Sequence, residues 1–205
     1  MFFRIYLFSA IKYIKMSFAE LYNGSEFGKK YPDSKFYNAR ATATWFLGQN
    51  YKNASSYYGA YPPMYWKRIQ TFIKPDYKVV HLFSGSLQPG NYIRVDIDKE
   101  QNPDICCKSE EVENFIKHNS IDIVFADPPY SKADSEIGYK SNYPNKKQTL
   151  HSVHKILKPG GLVFWLDTAL PMFRKTEYKL VGTIAIIIST NHRIRLVSIF
   201  EKLLI

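Results

Sequence analysis

An α/β architecture built on a mostly parallel sheet is predicted by three features of the 205-residue sequence. From residue 78 onward the chain is a series of short apolar runs broken by turn residues, the texture of strands alternating with helices. One of those breaks holds an amphipathic segment long enough for a helix, and a crossover helix makes the strands on either side of it parallel. The last two runs are long, rich in β-branched residues and separated only by Thr190-Asn191-His192-Arg193, so they should close the sheet as an antiparallel hairpin.

Taken in order, residues 1–14 (MFFRIYLFSAIKYI) are apolar but do not suit a membrane span or a signal peptide. Their longest uncharged run, between Arg4 and Lys12, is far below the roughly 20 residues a spanning helix needs, and no small-residue cleavage site follows. An amphipathic helix packed on the domain is expected, or a dispensable leader with Met16 as the natural start. Residues 17–75 interleave aromatics such as Trp45, Phe46, Tyr61, Tyr65 and Trp66 with Arg40, Lys67 and Arg68. Rings can stack on unpaired bases while cations follow phosphates, yet most of these side chains are expected to be half-buried packing residues.

Seven strands are predicted beyond this region, at 78–83, 92–95, 104–106, 121–126, 161–166, 180–189 and 194–200. Between the fourth and fifth, residues 147–157 put Leu150, Val153, Ile156 and Leu157 on one helical face, and Lys158-Pro159-Gly160-Gly161 should terminate that helix. Only about eight residues join the first two strands, from Ser84 to Asn91. A parallel crossover with its own helix needs a dozen or more, so the first crossover helix is expected to be shortened or absent. Without repeats or linkers, residues 1–205 are expected to form one domain, with 1–75 packed on a core at 76–202.

With 28 Lys+Arg against 18 Asp+Glu the formal charge is +10, which favours a polyanionic partner such as nucleic acid. The two cysteines, Cys106 and Cys107, are adjacent, so neither a disulfide framework nor a pair of zinc knuckles is available. A reducing, intracellular setting is expected, both cysteines are expected to be small core residues, and no carboxylate or Cys stands at ligand spacing from His151 or His154 to hold a metal.

The fourth strand runs straight into Asp127-Pro128-Pro129-Tyr130. In an open α/β sheet, ligands bind outside the carboxyl ends of the strands, which places this tetrapeptide at the mouth of a site. Two consecutive prolines fix φ and remove two amide donors, so the carbonyls around them stay outward as acceptors. The Asp127 carboxylate and a neighbouring carbonyl can each accept a hydrogen from one exocyclic amine, and Tyr130 offers a ring for a planar base.

These residues resemble the DPPY-type amino-methyltransferases, a group within the class I S-adenosylmethionine-dependent methyltransferases, over roughly residues 57–202. His81-Leu82-Phe83-Ser84-Gly85-Ser86 is similar to the family's first motif, which cradles the methionine part of the cofactor. Arg94-Val95-Asp96-Ile97-Asp98 resembles the end of the second strand, where an acidic residue meets the ribose hydroxyls, and Tyr61-Pro62-Pro63 resembles the preceding motif bordering the cofactor pocket. The resemblance implies a Rossmann-like methyltransferase fold with S-adenosyl-L-methionine as cofactor. It assigns Tyr61, Pro62, His81, Phe83, Ser84, Gly85, Ser86, Asp96 and Asp98 to that cofactor and Asp127, Pro128, Pro129 and Tyr130 to catalysis. His81 and Leu87 depart from the family's usual carboxylate and glycine, and Lys108 stands near where relatives carry an acid for the adenine amino group.

The implied activity is methylation of an exocyclic amine of a nucleic-acid base, with adenine N6 in DNA ahead of amines in RNA. The polar loop at 131–147, with Lys132, Tyr139 and Lys140, is expected either to close over the target base and meet flanking phosphates or to be a solvated surface loop. No insertion could serve as a separate base-reading domain, so a partner subunit is a second route to target recognition. A noncatalytic nucleic-acid-binding subunit keeping the fold is the contrasting expectation.

Overall fold

The computed structural model describes residues 41–48, 61, 62, 64–138, 142–188 and 194–203. Among the described residues eight strands form one sheet: β1 (Ala41–Leu47), β2 (Val79–Leu82), β3 (Ile93–Asp96), β4 (Ile105–Cys106), β5 (Ile121–Ala126), β6 (Leu157–Asp167), β7 (Tyr178–Ile188) and β8 (Ile194–Lys202). Their spatial order is β1-β7-β8-β6-β5-β2-β3-β4. Every pairing is parallel except the two made by β8, which runs against β6 and β7. The sheet is thus the Rossmann-like, mostly parallel one that the sequence predicts, with its terminal antiparallel hairpin, and it carries one more strand.

That added strand is β1, whose Ala41–Leu47 lies parallel to Gly182–Ile188. Its Ala-Thr-Ala-Thr start contains no apolar run, so the sequence pattern gives little sign of a strand, while alternate residues turn to solvent as an edge strand allows. The segment Lys158-Pro159-Gly160-Gly161 also differs from expectation. It terminates helix α2 (Lys146–Ile156), but it belongs to β6, which begins at Leu157 and pairs with Ile121 before the register shifts to Ile123 opposite Leu162.

One face of the sheet is covered by α2 and a 3₁₀ turn at Ser109–Asn114, which bury Leu150, Val153, Ile156 and Val112 against Val80, Leu82, Val124 and Trp165. The opposite face is covered by the short helix α1 (Tyr65–Ile69) and by aromatics, over Val79, Ile123, Phe125, Phe164 and the aliphatic rows of β7 and β8. No helix joins β2 to β3, and β3 to β4 is bridged only by a 3₁₀ turn at Lys99–Gln101. Where a crossover helix would have lain, Trp66 and Tyr92 pack edge-on against each other and around His81. Among the described residues no helix is long and apolar enough to cross a membrane.

Candidate active site

A cleft of about 130 Å³ lies at the carboxyl ends of β2, β3, β4 and β5. Its walls come from Phe83, Val95, Asp96 and Ile97 at the ends of β2 and β3, from residues 107–110 after β4, from Pro129 after β5, and from residues 142–144 ahead of α2. Its mixture of apolar walls with a few polar groups is typical of small-molecule sites.

The chain bends sharply after β2, with left-handed backbone at Phe83 (φ 57°) and Gly85 (φ 46°). Left-handed backbone costs a Phe steric energy that a Gly does not pay, and two bonds hold the bend in place. Ser84 N donates to the Val95 carbonyl at 3.2 Å, and Gly85 N donates to Asp96 Oδ2 at 2.8 Å. Asp98 N donates to the other Asp96 oxygen at 3.0 Å. Burial raises the Asp96 pKa above the ordinary carboxylate value, and the amide hydrogen bonds oppose that rise. The Ser84 hydroxyl is buried beside this bend with no hydrogen-bond partner.

Asp127 stands two residues before the cleft wall at Pro129, on a loop that two prolines stiffen. Its Oδ1 accepts a hydrogen bond from the Tyr130 hydroxyl at 2.8 Å, and its Oδ2 has no hydrogen-bond partner among the described residues. Desolvation pushes the Asp127 pKa up to about 7; the Tyr130 bond and the Arg195 and Lys146 cations pull it down, and Asp167 pushes it up. Arg195, at the start of β8, lies over the Tyr130 ring with its guanidinium carbon 5.0 Å from the centroid. At the end of β6, buried Asp167 accepts from Lys146 Nζ (2.7 Å), Trp165 Nε1 (3.2 Å) and Thr168 N (2.7 Å). Lys146 also sits 5.1 Å over the Tyr143 ring, and Tyr143 donates to the Tyr130 carbonyl at 3.4 Å, which ties the outer cleft wall to the Asp127 loop.

Of the residues expected to meet a cofactor, Phe83 and Asp96 line the cleft, and the tetrapeptide expected to be catalytic contributes Pro129. Ser84, Gly85 and Ser86 build the bend behind Phe83. Asp98 does not line the cleft; its carboxylate accepts from Glu100 N and the Gln101 side chain and so starts the 3₁₀ turn that follows. His81 departs furthest from expectation. Val80 and Leu82 point into the core on the cleft side, and the strand's alternation sends His81 to the other face. There its Nδ1 meets the Tyr61 hydroxyl at 2.9 Å, its ring stacks on Phe125 at 5.0 Å, and its Nε2 has no partner. Desolvation lowers its pKa to about 3, so it is neutral.

Tyr61 belongs to the same cage, and Pro62 begins α1 by accepting from Tyr65 N at 2.9 Å. Lys132 points to solvent and pairs with Glu136 at 3.5 Å, while Tyr139 and Lys140 lie outside the described residues. Cys107 lines the cleft, with burial raising its pKa to about 11, whereas Cys106 is exposed on the two-residue edge strand β4, because consecutive strand residues face opposite ways. Among the described residues no group of three metal-ligating side chains converges. His151 instead pairs with Glu177 at 2.6 Å.

Sequence reasoning missed Arg195 and Asp167, and it placed Lys146 and Tyr143 only in the polar loop after Tyr130, without their contacts to Asp167 and the Tyr130 carbonyl. The signal for both was topological: Asp167 closes a strand that ends beside Asp127, and Arg195 opens the antiparallel strand that lies next to it.

No protein-family model matches the chain, and no curated protein matches it. Solved structures do. TrmN from Thermus thermophilus is 18% identical with a TM-score of 0.44, over 63% of this chain and 45% of that one. An rRNA methylase from Streptococcus thermophilus is 10% identical with a TM-score of 0.42, over 63% of this chain and 89% of that one. A SAM-dependent methyltransferase from Aquifex aeolicus is 10% identical with a TM-score of 0.42, over 67% of this chain and 89% of that one. The chain thus spans less than half the length of TrmN.

Proposed function

We propose that the protein transfers a methyl group from S-adenosyl-L-methionine to an exocyclic amino group of a nucleic-acid base. The observation that carries this reading is the shared loop: Pro129 forms a wall of the cleft, and Asp127, two residues away, offers a carboxylate oxygen with no partner among the described residues. The target base rests on the resemblance alone, with adenine N6 in DNA first and an amine in RNA second.

The cleft residues suit the cofactor. Each Asp96 oxygen already accepts one backbone amide and retains a lone pair for a ribose hydroxyl. Phe83, Ile97 and Pro129 supply apolar surface for a flat purine. When bound, the sulfonium supplies an electrophilic methyl carbon, so the protein need contribute only alignment and a destination for a proton. Asp127 Oδ2 accepts a hydrogen bond from the target amine and orients its lone pair, while Tyr130 fixes the carboxylate through Oδ1. The methylated nitrogen must shed one proton, and the Asp127 carboxylate, with its pKa pushed up to about 7, is a stronger base for it than an ordinary carboxylate.

Mass spectrometry of nucleosides, after incubating wild type and Asp127→Ala with mixed DNA and RNA and the methyl donor, tests this. One methylated amino base is expected with wild type and absent with the variant. A methylated base that persists in the variant, or a modified ring carbon in place of an amine, overturns the reading.

A further inference from the structure

The described arginines differ in how their donors are used. Arg94 is spent on Asp104, the Leu87 carbonyl and the Asn102 carbonyl, Arg174 on Glu177 and His151, and Arg68 donates to the Phe46 carbonyl at 3.0 Å. Arg195 makes no ion pair and no hydrogen bond among the described residues. Its guanidinium carbon makes a cation–π contact 5.0 Å from the Tyr130 ring centroid, and the residue is half-buried. A partly desolvated guanidinium with unspent donors is costly to maintain, and its planar fork matches a phosphate.

The sheet register extends the observation. Arg195 stands opposite Ile186, and Ile186 stands opposite Trp45, so Trp45 and Arg195 share one face, about 10 Å apart at two strand spacings. Arg68 lies over Trp45 with its guanidinium carbon 5.6 Å from the ring. Two pairs of one ring and one cation therefore stand side by side at the carboxyl edge of the sheet. One of them is beside Asp127. A strand of nucleic acid needs this alternation, a ring for each base and a cation for each phosphate.

We infer that Arg195 binds the phosphate of the target nucleotide and that Trp45 with Arg68 receives the neighbouring one, so that the substrate is a nucleotide held within a strand, not a free base or a protein amide. The inference rests on the function proposed above for the identity of the target, and it adds the residues that hold the backbone on either side of it.

Its test reads binding, not methylation. Fluorescence anisotropy of short single-stranded DNA and RNA, without methyl donor and over a series of salt concentrations, gives the slope of log affinity against log salt. Arg195→Gln should reduce that slope by about 0.7 and weaken binding several-fold, since a single-strand phosphate contact releases that much counterion. Arg195→Lys should keep the slope. In the unmutated protein, a trinucleotide should shift the Arg195 Nε–H resonance while the free nucleoside should not, a reading that no folding defect can confuse. An unchanged slope in Arg195→Gln, or a resonance that ignores the trinucleotide, overturns the inference. Loss of slope without any methyl transfer would instead overturn the proposed function and leave Arg195 in place, while no binding to any strand would overturn both.

Discussion

Asp96 at the end of β3 and Asp127 at the end of β5 are carboxylates in equivalent positions of neighbouring parts of one sheet, and burial raises the pKa of both. They differ in what touches them. Two backbone amides aimed at Asp96 stabilise its charge, one on each oxygen. Asp127 receives a single tyrosine hydroxyl and remains at about 7. The same side chain is thus an acceptor held by fixed backbone dipoles at one strand end and a group poised to gain and lose a proton at the other. Desolvation is the largest cause of the rise at both strand ends; backbone amides oppose it at Asp96, and the Tyr130 hydroxyl with the Arg195 and Lys146 cations opposes it at Asp127.

Removing the titrating partner should have the largest effect. Asp127→Asn keeps an acceptor but no base, and should lower methyl transfer by roughly 10²–10⁴-fold, measured with labelled donor. Asp96→Ala should weaken S-adenosylhomocysteine about tenfold or more by calorimetry, because the proposed ribose acceptor and the anchor of Gly85 go together. The pH–rate profile should rise with pH and level off near 7. Lys146→Met should move that limb upward and Asp167→Asn downward, since the first removes a cation that favours the Asp127 carboxylate and the second an anion that opposes it. Shifts in one direction only would show that the two charges act through packing.

The smallest effect is on stability. The native state binds more protons at Asp127 than the unfolded chain between about 4 and 7, so that group makes stability fall as pH rises there. His81, held neutral down to about 3 against an unfolded value of 6.5, makes stability rise with pH between those values. The two slopes oppose each other between about 4 and 6.5. Urea midpoints should therefore climb with pH more steeply in Asp127→Asn than in wild type, and less steeply in His81→Gln.

The sheet and the position of Asp127 were legible because apolar runs and a double proline report local backbone directly. The absent helix after β2 was legible from chain length alone. His81 was misplaced because motif likeness carries no strand parity, although Val80 and Leu82 on either side contain that information. β1 was invisible because an edge strand needs only one buried flank, and Ala-Thr-Ala-Thr satisfies that without an apolar run. Arg195 and the Lys146–Asp167 pair depend on which strands become neighbours, and residues so far apart in sequence show nothing of it.

β1 also has a bearing on how the chain can be handled. It covers the outer margin of β7, where Ile184, Ile186, Ile187 and Ile188 would otherwise present open amides and carbonyls along an aliphatic ribbon. A fragment begun after residue 48 would bare that margin, and bare margins of this kind recruit other chains. Such a fragment should precipitate or form assemblies at concentrations where the longer chain stays dispersed.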